Sequence, residues 1–294
     1  MERHPYFDLW LHDTPELAEH LGVKIIERVT IHDWPLSCVQ SLRLADGRQV
    51  IYKSQLRATS VEPDFFTAIN SDRAGVSSHS RSQLPRADTL GSFENSVGMI
   101  IEFIDAPLLE DMHLTEAEIV EHGDHLLSEI SQFPADLPVY IDISSQEKWL
   151  TYAEDTFSMM HNLISTEKIR LTAPATVQEL ADWAKSDAII KSLQSPPNII
   201  HRDLGGDNVF ITPQGYKIID WQRPARGPAE LDRVGYLDMM GIDPLKFAQR
   251  SMVEVNLFIH LRWFVECKLH WFPAGDTYDR QVAELADLIL HPRR

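Results

Sequence analysis

The chain has 294 residues and a hydrophobic fraction of 44%, enough for two lobes that each bury a core. Its net charge of −17 argues against nucleic acid as a partner, because phosphate backbones demand Lys and Arg, and such a field would favour a cationic small molecule. No run of about 18 apolar residues marks a membrane partner, and the two distant cysteines, Cys38 and Cys267, suit a reducing cytoplasm with neither a disulfide scaffold nor a zinc cluster.

The opening segment, Met1 to Phe7, lacks the apolar core of a secretion signal. Lys24 to Ile31 is rich in β-branched residues and reads as a strand. Ile31 to Ser37 reads as a loop. Cys38 to Leu44, the turn Ala45-Asp46-Gly47-Arg48 and Gln49 to Gln55 form a strong hairpin signal. Pro63 suits the first turn of a helix whose apolar face carries Phe65, Phe66 and Ile69. Residues 71–96 are polar and read as an irregular link. Ser96 to Ile104 is an apolar run. After Asp105-Ala106-Pro107 the pattern turns helical. Thr115 and Glu118 open one helix, residues 146–164 form a second, and Thr176 to Leu193 form a third. From Pro244 to Leu290 two helices are expected, the first apolar on more than one face and therefore buried. Glu266, His270 and Trp271 near its end are candidates to line a cleft.

The richest stretch lies between these helices, over residues 199–222. Ile199 and Ile200 read as a short strand ending in His201, and Asp203 follows in a turn made permissive by Gly205 and Gly206. Asn208 lies five positions after Asp203. Val209 to Ile211, a turn at Pro213-Gln214-Gly215, and Tyr216 to Ile219 form a hairpin that delivers Asp220 beside Asn208. Three polar groups thus converge from local structure alone. Phosphoryl transfer needs such a set: one carboxylate to orient and deprotonate the attacking hydroxyl, and an amide oxygen with a second carboxylate to hold metal ions.

His201-Arg202-Asp203-Leu204-Gly205-Gly206-Asp207-Asn208, Ile219-Asp220-Trp221 and Gly227-Pro228-Ala229-Glu230-Leu231-Asp232 together resemble the aminoglycoside phosphotransferase and choline kinase family. The usual pattern of that family is His-Gly-Asp-Leu-His-x-x-Asn followed by Ile-Asp-Trp. Arg202 replaces its usual Gly and Gly205 a frequent His. The resemblance implies an α+β, bilobal protein-kinase-like fold. Residues 1–104 would form an N-terminal antiparallel β lobe with one helix, ending at a hinge, and residues 105–294 a larger, mainly helical lobe.

It also implies roles. Asp203 would be the catalytic base, with Asn208 and Asp220 as Mg²⁺ ligands. Lys53 would reach the nucleotide phosphates, held by Glu62, an acid at the helix start. Ser37 and nearby backbone would contact phosphate despite the absence of glycine in that loop. Backbone around Glu102 to Ile104 would bind the base of ATP or GTP. The acceptor would be a hydroxylated small molecule, an aminoglycoside or a choline-, sugar- or amino-acid-type metabolite. A nucleotide-binding regulator without turnover is disfavoured because Lys53, Asp203, Asn208 and Asp220 are all present. A metal-dependent hydrolase is disfavoured by the lack of a second His at ligand spacing. A protein kinase is disfavoured by the short span from Asp220 to Asp232.

Overall fold

Local capping and turn chemistry organise the N-terminal half. The computed structural model describes residues 1–71, 76–274 and 276–291. Two short strands, β1 (Glu2–Arg3) and β2 (Trp10–Leu11), pair antiparallel. Asp13 accepts from the Glu16 N–H at 2.9 Å, and the Glu16 carboxylate accepts from the Asp13 N–H at 2.9 Å. This reciprocal cap starts α1 (Thr14–Leu21), and Gly22, at φ 65, ends it in the left-handed conformation that glycine tolerates best.

The strands β3 (Ile25–Trp34), β4 (Ser37–Leu44), β5 (Gln49–Leu56), β6 (Ala87–Phe93) and β7 (Ser96–Glu102) form one antiparallel sheet in the order β3-β4-β5-β7-β6. The expected hairpin around Gly47 is present. The expected loop at Ile31 to Ser37 is mostly strand instead. Trp34 pairs with Ser37, so only Pro35 and Leu36 turn. Residues 71–96 also depart from expectation: they contain α3 (Ser78–Ser82) and β6, while 72–75 lie outside the described residues. β6 is an edge strand, mostly exposed and polar, so it lacks the apolar alternation that would reveal it.

Between β5 and β6 runs α2 (Glu62–Asn70), with Pro63 in its first turn and Phe65, Phe66 and Ile69 buried. It spans the two halves of the molecule. Phe65 stacks on Trp221 with ring centres 4.6 Å apart and planes 9° apart. The same buried cluster includes Met99 from β7 and Leu204, Val209 and Ile218 from the 199–222 stretch.

The second half is mainly helical. Thr115 and Glu118 form the expected cap of α4 (Glu116–Ile130). Next come β8 (Ile141–Asp142) and α5 (Gln146–Ser165). The single helix expected from Thr176 to Leu193 is two, α6 (Pro174–Ala184) and α7 (Asp187–Ser192), because Ser186 adopts the extended backbone of a helix-start residue. Strand β9 (Pro197–Ile200) leads into His201, and β10 (Val209–Thr212) with β11 (Gly215–Ile218) forms the expected hairpin. β12 (Ala225–Pro228) pairs antiparallel with β9 and parallel with β8, which ties the segment after Asp220 to the segment before His201. The chain closes with α8 (Glu230–Met239), α9 (Arg250–Glu266), a wider turn at Cys267–Trp271 and α10 (Asp276–Leu290). α9 is buried on several faces, through Met252, Val255, Phe258, Leu261 and Val265. Among the described residues, no helix is long and apolar enough to cross a membrane.

Candidate active site

Backbone bonds fix the turn that carries Asp203. His201 is buried. Its Nε2 faces the Ile219 carbonyl at 2.8 Å, and its Nδ1 accepts from the Asp203 N–H at 3.3 Å, so the proton sits on Nε2. Asp232, in the first turn of α8, accepts from the backbone N–H groups of His201 and Arg202 at 2.7 Å each. Burial, opposed by His201 and by those two bonds, pushes the Asp232 carboxyl up to about 6. Asn208 donates its side-chain amide to the Asp203 carbonyl at 2.9 Å, which leaves the amide oxygen as the atom available to a cation.

The hairpin brings Asp220 to the same place. The Asn208 carbonyl accepts from the Ile219 N–H at 3.0 Å, locking the two ends together. Asp220 has φ 65, a left-handed conformation that turns the chain at the end of β11. Its Oδ1 is 2.6 Å from Lys53 Nζ, and Lys53 Nζ is 2.7 Å from Glu62 Oε2. Glu62 Oε1 accepts from the Trp221 N–H at 3.0 Å, and the Val61 N–H donates to the Gln222 carbonyl at 2.9 Å. A continuous chain thus runs Trp221–Glu62–Lys53–Asp220 across the sheet, α2 and the hairpin. Burial opposes the charges of Asp220 and Lys53, but their mutual attraction and bonding outweigh it. The Asp220 pKa is held below, and the Lys53 pKa above, its ordinary value.

Two cavities meet at Asp220. The larger, about 1040 Å³, lies under the sheet, with apolar walls from Ile31, Ile51, Ile101 and Phe210. Ser37, Lys53, Glu62, Glu102, Ile104, Asn208 and Asp220 all line it. Glu102 also spends its carboxylate on the Arg86 N–H at 2.9 Å. The smaller cavity, about 240 Å³, is lined by Arg202, Asp203, Asp220, Arg223, His260 and Trp263, among others. Each residue assigned from the sequence to the nucleotide, the metal ions or the catalytic base thus lines one of the two cavities, Asp203 only the smaller. Asn208 and Asp220 offer only oxygen to an ion, the donor type that suits a hard cation such as Mg²⁺.

The α9 residues that wall the smaller cavity differ from the Glu266, His270 and Trp271 expected to line a cleft. Glu266 is bonded to Arg262 at 2.8 Å and to Tyr140 at 3.3 Å, and neither it, His270 nor Trp271 lines that cavity. His260, Trp263 and Phe264 do, at the spacing of one helix face. A helix apolar all round gives no sequence signal for which face it presents. Arg223 and Asp207 were also missed. Asp207 lines the larger cavity, and burial, with Asp203 and Asp220 nearby, raises its pKa. The signal for Asp232 was the Gly227-to-Asp232 element.

No family model matches the chain, and no curated protein matches it in sequence. Solved structures do match in fold. A thermostable mutant of an aminoglycoside phosphotransferase, in ternary complex with AMP-PNP and hygromycin B, aligns over 94% of this chain and 97% of its own, with 14% identity and TM-score 0.59. A spectinomycin phosphotransferase in complex with ADP and spectinomycin aligns over 96% and 99%, with 12% identity and TM-score 0.57. A macrolide 2'-phosphotransferase from Brachybacterium faecium aligns over 95% and 97%, with 12% identity and TM-score 0.56. At these identities the likeness establishes the fold, which is protein-kinase-like.

Proposed function

We propose that this protein-kinase-like chain is a small-molecule kinase that moves the γ-phosphate of ATP, or GTP, to a substrate hydroxyl. The observation that carries the reading is the Trp221–Glu62–Lys53–Asp220 chain, which holds its charged groups where a large cavity and a small one meet. The nucleotide would lie between a lobe of residues 1–104 and a lobe of residues 105–294, its base along the backbone at Glu102 to Ile104 and its phosphates toward Ser37 and Lys53. Bound Mg²⁺ would be held by Asn208 and Asp220 and would neutralise phosphate charge. Glu62 keeps Lys53 extended toward the phosphates. Asp203, in the acceptor cavity, orients the hydroxyl and takes its proton. Positioning and charge neutralisation do most of the work. The likeness to phosphotransferases crystallised with ADP or AMP-PNP supports nucleotide use.

The test is phosphoryl transfer from ATP with magnesium to a panel of hydroxylated metabolites and antibiotics, read as ADP release and product mass. Asp203→Ala is expected to lower turnover by about 10²–10⁴-fold, as for loss of a general base, and Asp220→Ala at least as far. Near-wild-type turnover in either variant defeats the assignment, and the absence of transfer to any acceptor favours a nucleotide-binding regulator.

A further inference from the structure

The smaller cavity does not share the acidic excess of the whole chain: two arginines face two aspartates in it. Arg202 and Arg223 line it together, beside Asp203. Among the described residues, neither guanidinium makes a hydrogen bond or ion pair. Arg223 lies over the Trp263 ring, 3.9 Å from its centre. Loss of solvent, the largest influence, and the nearby Arg223 disfavour the Arg202 cation, and the pull of the Asp203 and Asp232 carboxylates offsets this only in part. His260 adds no charge at neutral pH, because burial and these two arginines hold it down to about 4. The Tyr152 hydroxyl, near enough to Arg202 for each to shift the other, is buried without a partner. Adjacent unpaired guanidiniums repel each other, and an anion between them would relieve both.

We propose that the acceptor is a small molecule bearing both a hydroxyl and an anionic oxygen group, the anion held by Arg202 and Arg223 while the hydroxyl faces Asp203. This identifies the substrate class of the kinase reading above and rests on it. A volume of about 240 Å³ falls below the roughly 300–1,000 Å³ of pockets for drug-sized ligands, which favours a short hydroxy acid. In the reaction the acceptor oxygen bonds to the γ-phosphorus of ATP and the bridging O–P bond breaks. ADP leaves with that electron pair, and the hydroxyl proton passes to Asp203. A cationic acceptor, as the net charge alone would suggest, meets two unpaired cations here.

The test offers the full chain, with magnesium and ATP, matched pairs: glycerate and glyceramide, homoserine and its amide, and glycerol 3-phosphate and glycerol. ADP release and product mass report turnover. Calorimetry with AMP-PNP present reports acceptor binding independently. The expected result is turnover of at least one acid, with its neutral counterpart about tenfold or more poorer, as for loss of a charge-assisted bond. Arg223→Gln should raise the KM for that acid about tenfold, leave the KM for ATP unchanged and shrink the gap between pair members. Arg202→Gly is the second variant, with the same expectation. Carboxylate and phosphate members separate the two anion types. Neutral members serving as well as the acids, or an unchanged acid KM in both variants, overturns the proposal and leaves the kinase reading intact. Arginine-dependent acid binding without any transfer upholds the anion site and defeats the kinase reading. Neither binding nor turnover for any acid overturns the proposal.

Discussion

Arg202 holds a backbone conformation, φ 71, that suits glycine and strains any residue with a side chain. A left-handed residue other than Gly costs roughly 1–2 kcal/mol, and Gly gives back about 0.4–1 kcal/mol through a freer unfolded chain. Arg202→Gly is therefore expected to raise stability by a few tenths to about 1 kcal/mol, seen as a higher urea midpoint with an unchanged slope. A lower midpoint would mean that the guanidinium stabilises the fold. The sequence showed that Arg202 and Gly205 depart from the related pattern, but the reasons were not legible there. At 205 the matter is space. A Cβ would sit 2.4 Å from Cε of Met239 and 2.5 Å from Oδ1 of Asp207. The ends of the Met239 and Asp207 side chains would have to move aside for a larger residue at 205, and no local pattern links 205 to 239. Asp203, Asn208 and Asp220 were legible as candidates because each sits in a turn or just beyond a strand at a spacing that chemistry requires, whereas Lys53, inside β5, was marked only by the resemblance.

Elements bring these residues into register, and α8 shows how. Its Asp232 grips two successive backbone N–H groups of the turn that carries Asp203. With its carboxyl pushed up to about 6, above an unfolded value near 3.9, the folded state binds more protons than the unfolded state between those limits. This contribution is fully present below about pH 4 and is lost as pH rises through about 6. From pH 7 to pH 5 it should grow by on the order of 1 kcal/mol. Asp232→Asn removes that dependence and sets an amide donor against one N–H. Wild type should exceed the variant in stability at pH 7, and by a wider margin at pH 5, in paired urea titrations. A margin independent of pH would refute the coupling. Among elements, those that carry their own boundary chemistry were readable: the cap at Thr115 and Glu118, the turn at Gly47, Pro63 opening α2. The polar edge strand β6 and the break between α6 and α7 were not, since pairing partners and packing set them.

At the scale of the molecule, the two halves are joined by more than α2. Trp34, at the tip of the β3–β4 hairpin over the larger cavity, lies 5.5 Å from the ring of Phe272, which stacks on Tyr278 of α10 at 5.6 Å. Trp263, Trp271 and Phe272 also pack on the N-terminal core that contains Leu36. This aromatic clasp ties the hairpin tip to the C-terminal helices. Phe272→Ala is expected to speed hydrogen exchange over residues 31–38 and raise the KM for ATP severalfold, with a smaller change in kcat. Unchanged exchange in that hairpin would show that the clasp does not restrain it. The order of strands before helices was legible from the switch of pattern near residue 105, and the bilobal plan from the resemblance. The clasp was not, because Phe272 and Trp34 are remote in sequence and only partly buried. The charge at the acceptor cavity was likewise hidden, since a net −17 describes the surface as a whole.

The left-handed backbone at Arg202 has a meaning in the language of heredity. One base change turns any arginine codon into a glycine codon, so relief from that strain is always a single mutational step away. A lineage that keeps arginine there forgoes it in every generation. On the acceptor assignment above, the anion contact of the guanidinium is what would repay keeping arginine, with the awkward peptide geometry carried along with it.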